Sequence, residues 1–122
     1  MHNFHFRKPP EDALPPSEIR FIELNVDPWP DGRRVRVLAE ITPAQQSPNL
    51  DFDILDGQGN SVSHVRIIEC AESRITFTMH IRTAPLSNSY TLTGSISYTD
   101  LGSVDERKCP FTTQETPTQD EI

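Results

Sequence analysis

The sequence predicts an all-β fold, a seven-stranded antiparallel Greek-key sandwich, and three observations carry that prediction. Two neighbouring stretches, 72–82 and 89–100, alternate apolar and polar residues with the period of two that marks a strand wet on one face only. Strand-like runs recur along the whole chain at spacings of about 8–14 residues, separated by Gly, Pro, Asn and Asp. No window carries the apolar stripe of an amphipathic helix.

Each element follows from its local pattern. Residues 1–17 hold Pro9, Pro10, Pro15 and Pro16, which forbid a helix or a ladder strand, so this segment is expected to be an extended or disordered leader. Within it Phe4 and Phe6, two residues apart, have the spacing of a short edge strand. The first strand is expected over about 18–27, with Ile22, Leu24 and Val26 inward. Ile19 and Phe21 have the opposite parity, which requires a bulge near Phe21–Ile22 or a change of partner sheet. Asp27-Pro-Trp-Pro-Asp-Gly32 supplies a turn, and the second strand, over 33–42, buries Val35, Val37, Ala39 and Ile41 to complete a hairpin.

Leu50, Phe52 and Ile54 define the inner face of a third strand over 49–55, with Asp51 and Asp53 outward. After the turn Asp56-Gly-Gln-Gly-Asn60, the fourth strand over 61–68 alternates poorly. Its Val62, Val65, Ile67 and Ile68 leave no clean polar face, which suits an edge strand or one that bends between sheets. The fifth strand, 73–82, turns Ile75, Phe77, Met79 and Ile81 inward, and the sixth, 89–99, does the same with Tyr90, Leu92, Gly94, Ile96 and Tyr98. A seventh strand over 104–111 precedes a disordered acidic tail, 113–122.

The count and order of strands, the leading hairpin, and Asn88-x-Tyr90-x-Leu92 at the start of the sixth strand resemble the immunoglobulin-like and fibronectin type III-like sandwiches. The resemblance covers residues 18–112. It implies that Tyr90 bonds backbone at the sheet corner, a role carried onto that residue alone. The inter-sheet cysteine pair and the strand-three tryptophan of antibody domains are both absent. Because the superfamily performs many tasks, the resemblance implies no single function.

Composition narrows the function classes. The net charge of −7 argues against a nucleic-acid backbone or an anionic membrane surface as partner, since both require a concentrated positive field. No segment reaches the roughly 18 apolar residues of a membrane span. Two cysteines, and no Asn-x-Ser/Thr acceptor, fit a cytoplasmic protein. Cys70 in an end loop and Cys109 well down the seventh strand are expected to lie too far apart to bridge. Glu69 and Glu72 give Cys70 a setting of the wrong sign for a reactive nucleophile.

No phosphate loop, nucleophile elbow or paired-carboxylate frame is present, so no enzyme and no cofactor are expected. Asp51, Asp53 and Asp56 imitate a calcium loop, but Leu55 stands where an oxygen ligand is required. His64 and His80 are placed by a register centred near Ala71 about one diagonal step apart on a sheet face, and two imidazoles are too few for zinc. The most unusual chemistry is Trp29 between Pro28 and Pro30, followed by Arg33 and Arg34, with Arg82 expected at the same end. Trp and Arg are the residue types most enriched at binding hot spots. Trp29, Arg33 and Arg34 are therefore the candidate binding residues of a protein-interaction or structural module whose partner is another protein or a second copy. The alternatives are a tryptophan that plugs the core, and a small-ligand or carbohydrate-binding module that uses Trp29 as a stacking platform.

Overall fold

The structure, a computed structural model, describes residues 11–81 and 89–113. Seven strands are present: β1 (Phe21–Pro28), β2 (Arg34–Ile41), β3 (Asn49–Asp56), β4 (Ser61–Ile67), β5 (Arg74–His80), β6 (Ser89–Tyr98) and β7 (Gly102–Thr112). They form two antiparallel sheets, a three-stranded one in the order β1-β2-β5 and a four-stranded one in the order β4-β3-β6-β7. The predicted fold class, an all-β seven-stranded sandwich, is the one observed.

The alternation read from the sequence matches the burial. Val35, Val37, Ala39 and Ile41 of β2, Leu50, Phe52 and Ile54 of β3, and Leu92, Ile96 and Tyr98 of β6 all lie in the core. Between the sheets, Phe52 meets Phe21 edge-on at 6.4 Å and Phe77 at 4.8 Å, so three aromatic rings from β1, β3 and β5 tie the layers together. Each such pair contributes about 0.5–1.5 kcal/mol beyond its burial. Gly94 makes room for them. A Cβ built there would lie 3.0 Å from the tip of Phe21 and 3.3 Å from Leu24.

The first strand requires one correction. The expected bulge is there, as a register shift between Phe21 and Glu23, but Ile22 points outward and is 54% exposed, whereas Phe21 is only 2% exposed. Phe21 is the longer lever into the core over Gly94, and Leu24 follows it inward once the bulge has reset the parity. Among the described residues the fourth strand pairs with β3 alone, as an edge strand, which accounts for its half-buried Val65 and Ile67.

Residues 13–19 lie against the sandwich. Ala13 and Ile19 are buried, and Leu14 forms a parallel bridge with Ala44, closed by Leu14 N–H to Pro43 O and Gln45 N–H to Leu14 O, both 2.9 Å. The Phe4–Phe6 segment and the acidic tail from residue 114 fall outside the described residues.

The edges of the two sheets meet on one flank. Asp105 and Arg107 of β7 share the inward parity of Cys109 and Phe111, but they end on the backbone of β1. Phe21 N–H donates to Asp105 Oδ2 at 2.8 Å, and the Arg107 guanidinium donates to the carbonyls of Phe21 at 2.8 Å and Ile22 at 3.3 Å. The bulge in β1 is thus satisfied from the opposite sheet. On the other flank β4 and β5 leave an open groove of about 330 Å³ between Val62–Val65 and Thr78–His80.

Two outcomes follow for stability. Gly94→Ala forces a methyl group against Phe21 and is expected to cost about 1–3 kcal/mol in urea unfolding, with the slope unchanged. Asp105→Ala leaves the Phe21 N–H without its acceptor and is expected to cost about 1–3 kcal/mol in the same measurement.

Candidate functional site

The candidate residues stand on the β1–β2 connection, and its sequence explains its shape. Trp29-Pro30-Asp31-Gly32 closes with Gly32 N–H to Trp29 O at 3.1 Å, Pro30 supplying the fixed φ at the second position. Gly32 takes φ +70°, the left-handed conformation that follows such a turn in a hairpin. Trp29 N–H then bonds Arg34 O at 2.9 Å, and β2 begins.

Asp31 organises the cations. Its Oδ1 accepts the Arg33 N–H at 2.9 Å, and its Oδ2 accepts Arg34 Nε at 2.9 Å. Held in this way, the Arg34 guanidinium lies over the Trp29 ring with its carbon 3.9 Å from the centroid. Trp29 and Arg34 are half-buried, Arg33 is exposed, and Trp29 lies outside the core cluster of the described residues. The Arg33 N–H, followed by the Arg34 guanidinium, holds the Asp31 carboxyl below its ordinary range against an opposing desolvation effect. The structure thus brings Trp29 and Arg34 into contact and ties Arg33 to the same carboxylate through its backbone. Arg82, expected nearby, falls outside the described residues.

The other polar constellations are engaged within the fold. Asp51 pairs with Arg66 at 2.8 Å and with His64 at 3.3 Å, Asp53 accepts from Ser61, and Asp56 accepts the N–H groups of Gln58 and Asn60 at 2.9 Å. The last two bonds close the β3–β4 hairpin and lower the Asp56 pKa, the Asn60 N–H having the larger effect. His64 and His80 do not share a sheet face as the sequence reading had it. β4 and β5 belong to different sheets, and the His64 imidazole is turned to Asp51 within its own sheet, while His80 is exposed on the other. Cys70 and Cys109 are both free thiols, Cys70 buried at the loop end and Cys109 half-buried in β7.

Tyr90 is buried and stacks on Phe111 with ring centroids 5.6 Å apart. Sequence reasoning placed Tyr98 inward but missed its backbone bond. Tyr98 donates its hydroxyl to Gln46 O at 2.7 Å and so ties β6 to the β2–β3 connection, while burial pushes its phenol up. It also missed that, among the described residues, the exposed large apolar side chains Ile22, Ile68 and Leu101 all stand near strand ends away from Trp29.

No protein-family model and no curated protein sequence matches this chain. Solved structures do. A glycosyl hydrolase family 2 member from Bacteroides cellulosilyticus DSM 14838 superposes with a TM-score of 0.59 at 12% identity, covering 77% of this chain and 15% of that one. A β-glucuronidase from Ruminococcus gnavus, in complex with D-glucaro 1,5-lactone, gives a TM-score of 0.52 at 16% identity, covering 79% of this chain and 16% of that one. At such identities the likeness is one of fold, and this chain is similar to a β-sandwich segment spanning about one sixth of those larger chains. No helix among the described residues is long and apolar enough to cross a membrane.

The depressed Asp31 pKa has a definite sign. The stacked arrangement is present above the ordinary carboxylate range and is lost as pH falls through the lowered folded value. Emission from Trp29, the lone tryptophan of the chain, is expected to step at a pH below that range as Asp31 takes a proton and releases Arg34. Asp31→Asn is expected to remove the step.

Proposed function

We propose that this chain is a non-catalytic module of immunoglobulin-like, fibronectin type III-like architecture that binds another protein through Trp29, Arg33 and Arg34. The observation that carries this reading is the Arg34 guanidinium stacked on Trp29 and clamped by Asp31. A rigid ring and a planar cation already fixed in place lose little entropy on contact, which is what a hot spot requires. Arg33 beside them is exposed.

The chain crossings between sheets after β2, β4 and β5 support the superfamily assignment. The small share of the hydrolase chains that the match covers supports a module rather than a whole enzyme. Because Arg34 occupies a face of the ring, a sugar stacking there would first have to displace it, which weighs against the carbohydrate alternative.

The test is affinity capture from native lysate with wild type, Trp29→Ala and Arg34→Ala in parallel, folding being checked by circular dichroism. A bound protein whose affinity falls by about tenfold or more in the folded variants is the expected result. Capture of the same protein by folded variants at undiminished strength would place the interface elsewhere. Saturable quenching of Trp29 by an oligosaccharide would favour the carbohydrate reading instead.

A further inference from the structure

An unprotected sheet edge invites another strand, and natural sandwiches block their edges. Three of the four edges here carry such a device. β1 has its bulge at Phe21–Glu23 and receives the Asp105 and Arg107 side chains. β7 contains Pro110 and a register shift beside Ser97, and turns Asp105 and Arg107 inward. β4 has a register shift opposite Ile54–Leu55.

β5 has none of these. Its register against β2 runs unbroken from Arg74–Glu40 to His80–Arg34, with no proline and no glycine. The one cation at its start, Arg74, is compensated within its own sheet by Glu40 at 2.9 Å and Glu23 at 3.7 Å.

The ladder fixes which groups are offered. Ile41 N–H bonds Ser73 O, and Ile81 N–H bonds Arg33 O, both at 2.8 Å. With an unbroken register between them, the odd-numbered residues of β5 use their backbone groups on β2. The N–H and C=O of Arg74, Thr76, Thr78 and His80 therefore point out of the sheet. Their side chains are exposed, and the flank groove holds β4 away from the Thr78–His80 stretch.

We propose that β5 pairs antiparallel with β5 of a second copy about a two-fold axis at Phe77, joining two three-stranded sheets into one continuous sheet. This register uses the whole strand and is self-complementary. Thr76 faces Thr78 of the second copy on the outer side, and no two carboxylates meet. On the inner side Phe77 faces its own counterpart, and Ile75 faces Met79 of the second copy. Ile75 and Phe77 are only half-buried in a single copy, so the pairing covers apolar surface left open at the edge. The contact is isologous and closes on itself, as a two-fold interface must. Being one strand wide it is small, and its association is correspondingly weak.

This pairing is independent of the Trp29 reading, since Trp29 follows β1 at the opposite edge of the same sheet. Sedimentation equilibrium of the full chain from micromolar to near-millimolar concentration is expected to show a reversible monomer–dimer equilibrium that Trp29→Ala leaves unchanged. Amide exchange at Thr76, Thr78 and His80 is expected to slow as concentration rises. The double variant Thr76→Lys/Thr78→Lys sets like charges across the axis and is expected to weaken dimerisation by about tenfold or more. Thr76→Lys/Thr78→Glu sets each introduced lysine against an introduced glutamate of the second copy and is expected to keep the dimer. Both pairs of substitutions lie on the exposed face, and circular dichroism checks their folding. A chain that stays monomeric to near-millimolar concentration overturns the proposal, as does a dilysine variant that dimerises like wild type or a lysine–glutamate variant that dissociates like the dilysine one.

Discussion

The two sheets are held at their distance by a ring that sits where a side chain is missing. Phe21 enters the core over Gly94, and the space that any other residue would fill with a Cβ is occupied by the edge of that ring. Phe52 then bridges Phe21 to Phe77, so strands from both layers share one aromatic contact near the centre of the sandwich. The bulge in β1 is a consequence of this packing. To bring both Phe21 and Leu24 inward the strand must break its period of two, and the residue displaced is Ile22.

A bulge leaves backbone groups without ladder partners, and the structure answers with charged side chains from the far sheet. Asp105 and Arg107 are polar residues at core parity; Asp105 is half-buried against the Phe21 N–H, and the exposed Arg107 reaches the carbonyls of Phe21 and Ile22. The same two residues close that flank against further strands. Among the described residues the opposite flank has no equivalent, and β4 and β5 part there around the groove between Val62–Val65 and Thr78–His80. The molecule is therefore asymmetric in its accessible surfaces. A clamped Trp–Arg pair lies at one end, Ile68 (67% exposed) and Leu101 (51% exposed) lie at the other, and one regular strand edge lies along the side.

Much of this was legible in the sequence wherever a strand has one wet face. The inward sets of β2, β3 and β6 follow from alternation alone, because burial on one side writes a period of two into the residues. The bulge was legible as a clash of parity between Phe21 and Ile22, yet its direction was not, since that depended on the cavity above Gly94, contributed by a strand some seventy residues away in the chain. β4 was ambiguous for a physical reason: an edge strand is buried on neither face fully, so its pattern blurs. Of the candidate site, the sequence showed the residue types and the turn. The stacking of Arg34 on Trp29 depended on Asp31, whose bidirectional role has no one-dimensional signature beyond its place before two arginines. The inward parity of Asp105 and Arg107 was a signal available in the sequence, and it would have identified the β1–β7 flank.

The bond from Phe21 to Asp105 joins residues 84 positions apart, and it has a consequence for how the chain reaches its fold. The β1–β2 hairpin is local and can form early, but its bulged outer edge has no partner until β7, some eighty residues later, is available. Until then the Phe21 amide is left to water, and β7 closes that edge as a latch that exchanges the water for the Asp105 carboxylate.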